Sequence, residues 1–154
     1  MFSFWHLFSL VGDTLSWISV FWPISMVLFI PAFAFCSHYA QRGLLSTAGL
    51  VTIWVLPVLI PVSILTIGVA YAAPDPATPL HSSHPEDPWF DRPTLARPQF
   101  WINLVLSINI PMGIALIWRN PGVWPATVAT CFWWGWVSLL AAMMARMSVT
   151  GVWL

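Results

Sequence analysis

Lysine is absent from this 154-residue sequence, and its five arginines and five acids make up only 6% of it. A soluble globular domain is about 25% charged. So few solvated groups cannot cover a compact fold in water, and an ordinary soluble domain is excluded. A formal net charge of zero also argues against a nucleic-acid partner, which demands a basic surface to displace counterions. Cysteine is scarce: Cys36 and Cys131 both lie in apolar stretches, where they read as small packing residues rather than a disulfide. Nucleophilic catalysis has no foothold, since there is no nucleophile elbow, no Cys–His neighbourhood and no glycine-rich phosphate loop. The chain is not expected to be an enzyme.

What it has is apolar surface, with 59% of its residues hydrophobic. A helix needs roughly 20 apolar residues to cross the hydrocarbon core of a bilayer. Four uncharged runs reach that length, at residues 14–37, 43–73, 99–118 and 121–145. The expected fold is an all-α integral membrane protein, a single polytopic domain over 1–154 with four transmembrane helices. Pro23, Pro31, Pro57, Pro61 and Pro111 fall inside the runs, each removing a backbone donor and bending its helix. A chain so bent is expected to pack against something shaped to receive it.

The opening MFSFWHLFSLVG is too short to span. As a helix it would place Phe4, Trp5 and Phe8 on one side, which predicts a short N-terminal segment lying in the interface. No lysine or arginine precedes the first run, which argues against a cleavable signal peptide. Residues 74–98 hold seven prolines in 25 positions, so an irregular extramembrane loop is expected between the second and third helices. Arg42 and Arg119 in the short turns favour a cytoplasmic side there, with the long loop external. Arg92, Arg97 and Arg146 count against that orientation.

The loop contains HSSHPEDPWFDRP at 81–93, in which His81, His84, Glu86, Asp87 and Asp91 are ligand types that zinc or copper would take. A proline-broken His-x-x-His is not held on one helical face, however, and no third histidine or cysteine follows nearby. A solvated strap is the expected role, and no metal site is assigned. No Asp, Glu, Lys, Arg or His lies in the middle of any run, which speaks against a proton relay or ion path within this chain. Asn103, Ser107 and Asn109 are the strongest polar features there. Asn103 and Ser107 share a face and read as helix glue, with a quinone or pigment carbonyl as the sharper option.

Tryptophan is abundant, with twelve residues. Trp17, Trp22, Trp101, Trp118 and Trp124 lie near run ends, where indoles favour head-group level. Trp133 and Trp136 lie deep in the fourth run and share one side, while Trp134 points elsewhere. Rings at that depth pack against a partner, a lipid or a flat cofactor, and a buried indole N–H needs an acceptor. Ala141 and Ala145 form a small-x-x-x-small pair that permits close helix approach.

Ala34 precedes His38 by one helical turn in AFAFCSHYAQRG. Ala-x-x-x-His near a membrane boundary is similar to the pattern by which antenna polypeptides of purple photosynthetic bacteria hold bacteriochlorophyll. The likeness covers five residues, and those antenna chains cross the membrane once. It implies that the His38 imidazole would ligate the central magnesium, with Ala34 leaving room for the macrocycle. The plainer reading is an interfacial histidine anchoring the helix end beside Tyr39 and Arg42.

Together these features predict a non-catalytic accessory subunit of a larger energy-converting membrane complex, photosynthetic or respiratory. Its partners would be other membrane subunits and lipids, in a bacterial inner (cytoplasmic or intracytoplasmic) membrane. His38, Ala34, Trp133, Trp136 and Asn103 are the candidate contacts to bacteriochlorophyll, carotenoid, quinone or lipid. The alternatives are a small membrane component of a transporter, or a metal-handling protein using His81 and His84.

Overall fold

A backbone surrounded by apolar side chains must satisfy its own N–H and C=O groups, and a helix does so within one segment. The computed structural model describes residues 4–72 and 93–150, and within them no strand forms. Seven α-helices follow in order: α1 Phe4–Val20, α2 Trp22–Gln41, α3 Thr47–Val55, α4 Leu59–Ala70, α5 Pro93–Ser107, α6 Asn109–Arg119 and α7 Trp124–Thr150. Four helical stretches are long and apolar enough to cross a membrane: Trp22–Gln41, Thr47–Ala70, Ala96–Arg119 and Pro121–Thr150.

Proline chemistry explains most of the breaks. Pro23 opens α2 in the first helical turn, where its missing N–H costs nothing. The ladder still runs through the junction, with Phe21 N–H donating to Trp17 O at 2.9 Å and Ser25 N–H to Phe21 O at 3.0 Å. Pro57 lies in the 3₁₀ turn Leu56–Val58 that joins α3 to α4. Pro111 cannot donate to Ser107 O, and α5 gives way to α6 at Ile108. The Asn109 amide donates to Leu106 O at 2.9 Å, covering a carbonyl at that break. Between α2 and α3 the chain reverses at Gly43, whose φ of 68° is the one positive value among the described residues. Ser46 then caps α3, its hydroxyl accepting from Gly49 N–H at 3.1 Å.

Several boundaries differ from those expected of the sequence. The N-terminal segment is a 17-residue helix rather than a short interfacial piece. Phe4, Trp5 and Phe8 do face outward, at 66%, 85% and 60% exposure, but Leu10 on the opposite side is fully buried. Leu7 and Trp17 pack with Leu10 against the core. Asp13 suggests the edge of the first run, yet the real break comes at Phe21, where Pro23 is the cause. The expected irregular loop at 74–98 lies outside the described residues as far as 92, and its last six residues are helical because α5 begins at Pro93. Pro98 is accepted inside that helix and is fully buried. The fourth spanning stretch continues past Arg146 to Thr150.

α7 is the hub, packing against every other helix among the described residues. Of its most apolar window 44% is buried, against 17% for the windows of Trp22–Gln41 and Ala96–Arg119. Small residues make that possible: Ala126, Ala141 and Ala145 are fully buried, and Ala142 nearly so. One cluster joins Leu10, Ile60, Ile64, Ile102 and Met144 toward the C-terminal end of α7. A second joins Cys36, Leu45, Ile53, Val123 and Ala126 toward its start. Buried hydroxyls are neutralised locally. Thr14, Thr130 and Ser138 each donate to the carbonyl four residues back, at 2.7, 2.8 and 2.7 Å.

Candidate functional site

Between the two clusters lies an aromatic seam. Phe21, at the N-cap of α2, and Ser25, Phe29 and Cys36 on α2 recur at roughly one- and two-turn intervals, so they fall along one face. On α7 the facing residues are Trp136, Trp133 and Thr130, met in reverse order because the helices are antiparallel. α3 contributes Trp54.

Each pairing has defined geometry. The Trp136 indole donates to Ser25 Oγ at 3.1 Å, and its ring forms a T-shaped pair with Phe21 at 5.8 Å and 84°. Ser25 in turn donates to Ile18 O at 2.9 Å. One hydroxyl thereby ties α1, α2 and α7 together across the helix break. Phe29 meets Trp133 at 5.1 Å and Trp54 at 6.1 Å, both near edge-to-face, the favoured aromatic geometry. The Trp54 indole donates to Cys36 Sγ at 3.3 Å, with Thr130 Oγ1 on the same sulfur at 3.5 Å. Both cysteines are free thiols, and Cys36 serves as a hydrogen-bonding group as well as filler. The seam contains no carboxylate, imidazole or guanidinium. It offers rings and neutral hydrogen bonds, which hold helices together.

Trp134 turns away from the seam's main axis toward Trp54, centroids 6.4 Å apart. Its indole nitrogen is enclosed and has no partner. Trp134 also lines a cavity of about 10 Å³ with Pro57, Ile60, Asn109, Gly113 and Cys131. That volume corresponds to about one water.

The residues singled out from the sequence do not converge. Trp133 and Trp136 share the side that faces α2, and the acceptor for Trp136 comes from this chain. His38 and Ala34 are both exposed on α2, the imidazole standing edge-on to Tyr39 at 5.6 Å. Asn103 does bond across helices, its Oδ1 accepting from Arg146 Nη2 on α7 at 2.6 Å. Ser107 does not; it returns to Asn103 O at 2.6 Å. Ser25, Trp54 and Phe29 belong to the seam although the sequence does not single them out, and Cys36, expected only to pack, also takes hydrogen bonds there. The one usable signal is the rule that a buried indole needs an acceptor, which favours hydroxyls and thiols among apolar neighbours.

The two indoles give a direct comparison. Trp136→Phe and Trp134→Phe remove the same volume, but only the first breaks a hydrogen bond. Trp136→Phe is expected to cost about 1–2 kcal/mol more, read by denaturant titration in detergent micelles. Equal losses would mean that the Ser25 bond contributes nothing.

The chain matches no protein-family model, and neither a curated protein nor a solved structure is significantly similar to it.

Proposed function

We propose that this chain is a non-catalytic accessory subunit of a larger membrane-embedded energy-converting complex, photosynthetic or respiratory, seated among other subunits and lipids. The observation that carries this reading is the one-sided distribution of packing. α7 takes up the internal contacts, while α2 and the α5–α6 arm leave most of their apolar surface uncovered. Ile30, Phe33 and Phe35 on α2 and Ile110 and Ile114 on α6 are all exposed. Lipid would cover such arms in part, and neighbouring subunits are well suited to the rest. None of the four spanning stretches contains a carboxylate, which disfavours a proton or cation path through this chain alone.

The pigment component of the reading rests on His38. Its ring and the small Ala34 one turn earlier are both exposed on α2, leaving room for a flat macrocycle outside the chain. Extraction of native membranes with a mild detergent, followed by a native gel and an absorption spectrum of the band, tests both components. A large coloured band is expected, with His38→Ala lowering its long-wavelength absorbance. A small colourless band would sink the energy-converting reading. Co-migration with a colourless permease would replace it with a transporter component.

A further inference from the structure

Arg146 is the one arginine among the described residues that is not exposed. It sits one turn before the end of α7 and is half-buried, in a chain whose sole acidic side chain among the described residues is Asp13. A guanidinium carries five donors in a planar fork and no acceptor. One donor, on Nη2, goes to Asn103 Oδ1 at 2.6 Å. Nε is enclosed with no partner at all. No carboxylate among the described residues forms an ion pair with it. A half-buried guanidinium with an enclosed, unpartnered N–H is costly, and an anion at its open donors offsets part of that cost.

The surroundings indicate which anion. On α5, exposed Phe100, Trp101 and Leu104 flank Asn103. Trp101 and Phe100 stack edge-on at 5.5 Å, at the end of the Ala96–Arg119 stretch where aromatic side chains mark head-group level. A planar fork matches the two oxygens of a phosphate bidentately, and the adjacent apolar surface accommodates an acyl chain. Resting on the membrane-spanning reading, we infer that Arg146 and Asn103 form a binding site for the phosphate of an anionic phospholipid. Asn103 orients the guanidinium through its amide oxygen, and the Nη donors that Asn103 does not take are left for the oxyanion.

Native mass spectrometry of the full chain released from detergent tests this, with dioleoyl phosphatidylglycerol as the probe. Wild type should retain the lipid, and Arg146→Gln should bind it about tenfold more weakly, the loss expected for a charge-assisted hydrogen bond. Arg146→Lys keeps the charge without the fork and should fall between them, provided circular dichroism shows both variants folded. Dioleoylglycerol, with the same chains and no phosphate, should not be retained. Undiminished phosphatidylglycerol binding by a folded Arg146→Gln would overturn the site, as would equal retention of dioleoylglycerol. Displacement by millimolar inorganic phosphate would overturn the lipid as the source. Resistance to alkaline carbonate extraction reports the spanning reading separately, so either can fail alone.

Discussion

Gly68→Ala should prise α4 from α7, and Gly68→Leu should do so severely, costing about 3 kcal/mol or more. A Cβ at position 68 would lie 2.7 Å from the Cα and 2.8 Å from the Cβ of Ala145. The first of these is backbone, which cannot swing aside as a side-chain tip can. Ser148 Oγ also donates to Gly68 O at 3.1 Å, and His6 Nε2 shares that hydroxyl at 2.9 Å. Forcing the helices apart would loosen this joint between α1, α4 and α7 as well. Titration with a denaturing detergent, followed by tryptophan fluorescence, measures the loss. Gly135→Ala on α7 is the control, because nothing lies within 4 Å of its added Cβ. It should be neutral or slightly stabilising, since alanine gains up to about 1 kcal/mol over glycine in a helix interior. Ala145→Gly should not fully rescue Gly68→Leu, because the backbone of α7 would still stand in the way. If Gly68→Ala proves as stable as Gly135→Ala, the close crossing does not exist.

The second large effect lies at the other end of the chain. Leu10→Ala is expected to cost about 2–5 kcal/mol, the range for emptying a buried leucine site. Leu10 is fully buried against Ile64, Ile102 and Met144, although it belongs to a segment that by its sequence looks too short to span. Phe8→Ala, two positions away and facing outward, should change stability by no more than about 0.5 kcal/mol. The pair separates two pictures of the N-terminus. A segment resting only in the interface would lose more from Phe8 than from Leu10; a helix docked on the core shows the reverse. Thermal unfolding of the two variants in the same detergent decides between them.

The four long apolar helices are legible in the sequence, because a run of about 20 uncharged residues has few other ways to satisfy its backbone. Their ends are less so. Asp13 and Arg146 look like edges because charge usually marks the water boundary. In the structure, Asp13 lies on a helix that continues to Val20, and Arg146 on one that continues to Thr150. Arg146 is accommodated by Asn103, 43 residues away in sequence. Ala145 is recognisable as a residue permitting close approach, but its partner, Gly68, is not. Trp133 and Trp136 are placed on one side by helical spacing alone, yet nothing in the sequence chooses Ser25 as acceptor from among the other hydroxyls.

Composition and periodicity by themselves determined the class of element, the number of long apolar helices and the faces some side chains share. These follow from local physics: backbone satisfaction, 3.6 residues per turn and the donor that each proline lacks. Only the tertiary structure decided that α7 is the hub, that Leu10 belongs to the core, that Cys36 takes the Trp54 indole and that Arg146 is left with unspent donors. In a chain that is apolar almost everywhere, hydrophobicity cannot rank one face against another. Which faces meet is settled instead by close fit at glycine and alanine and by a few hydrogen bonds between distant residues.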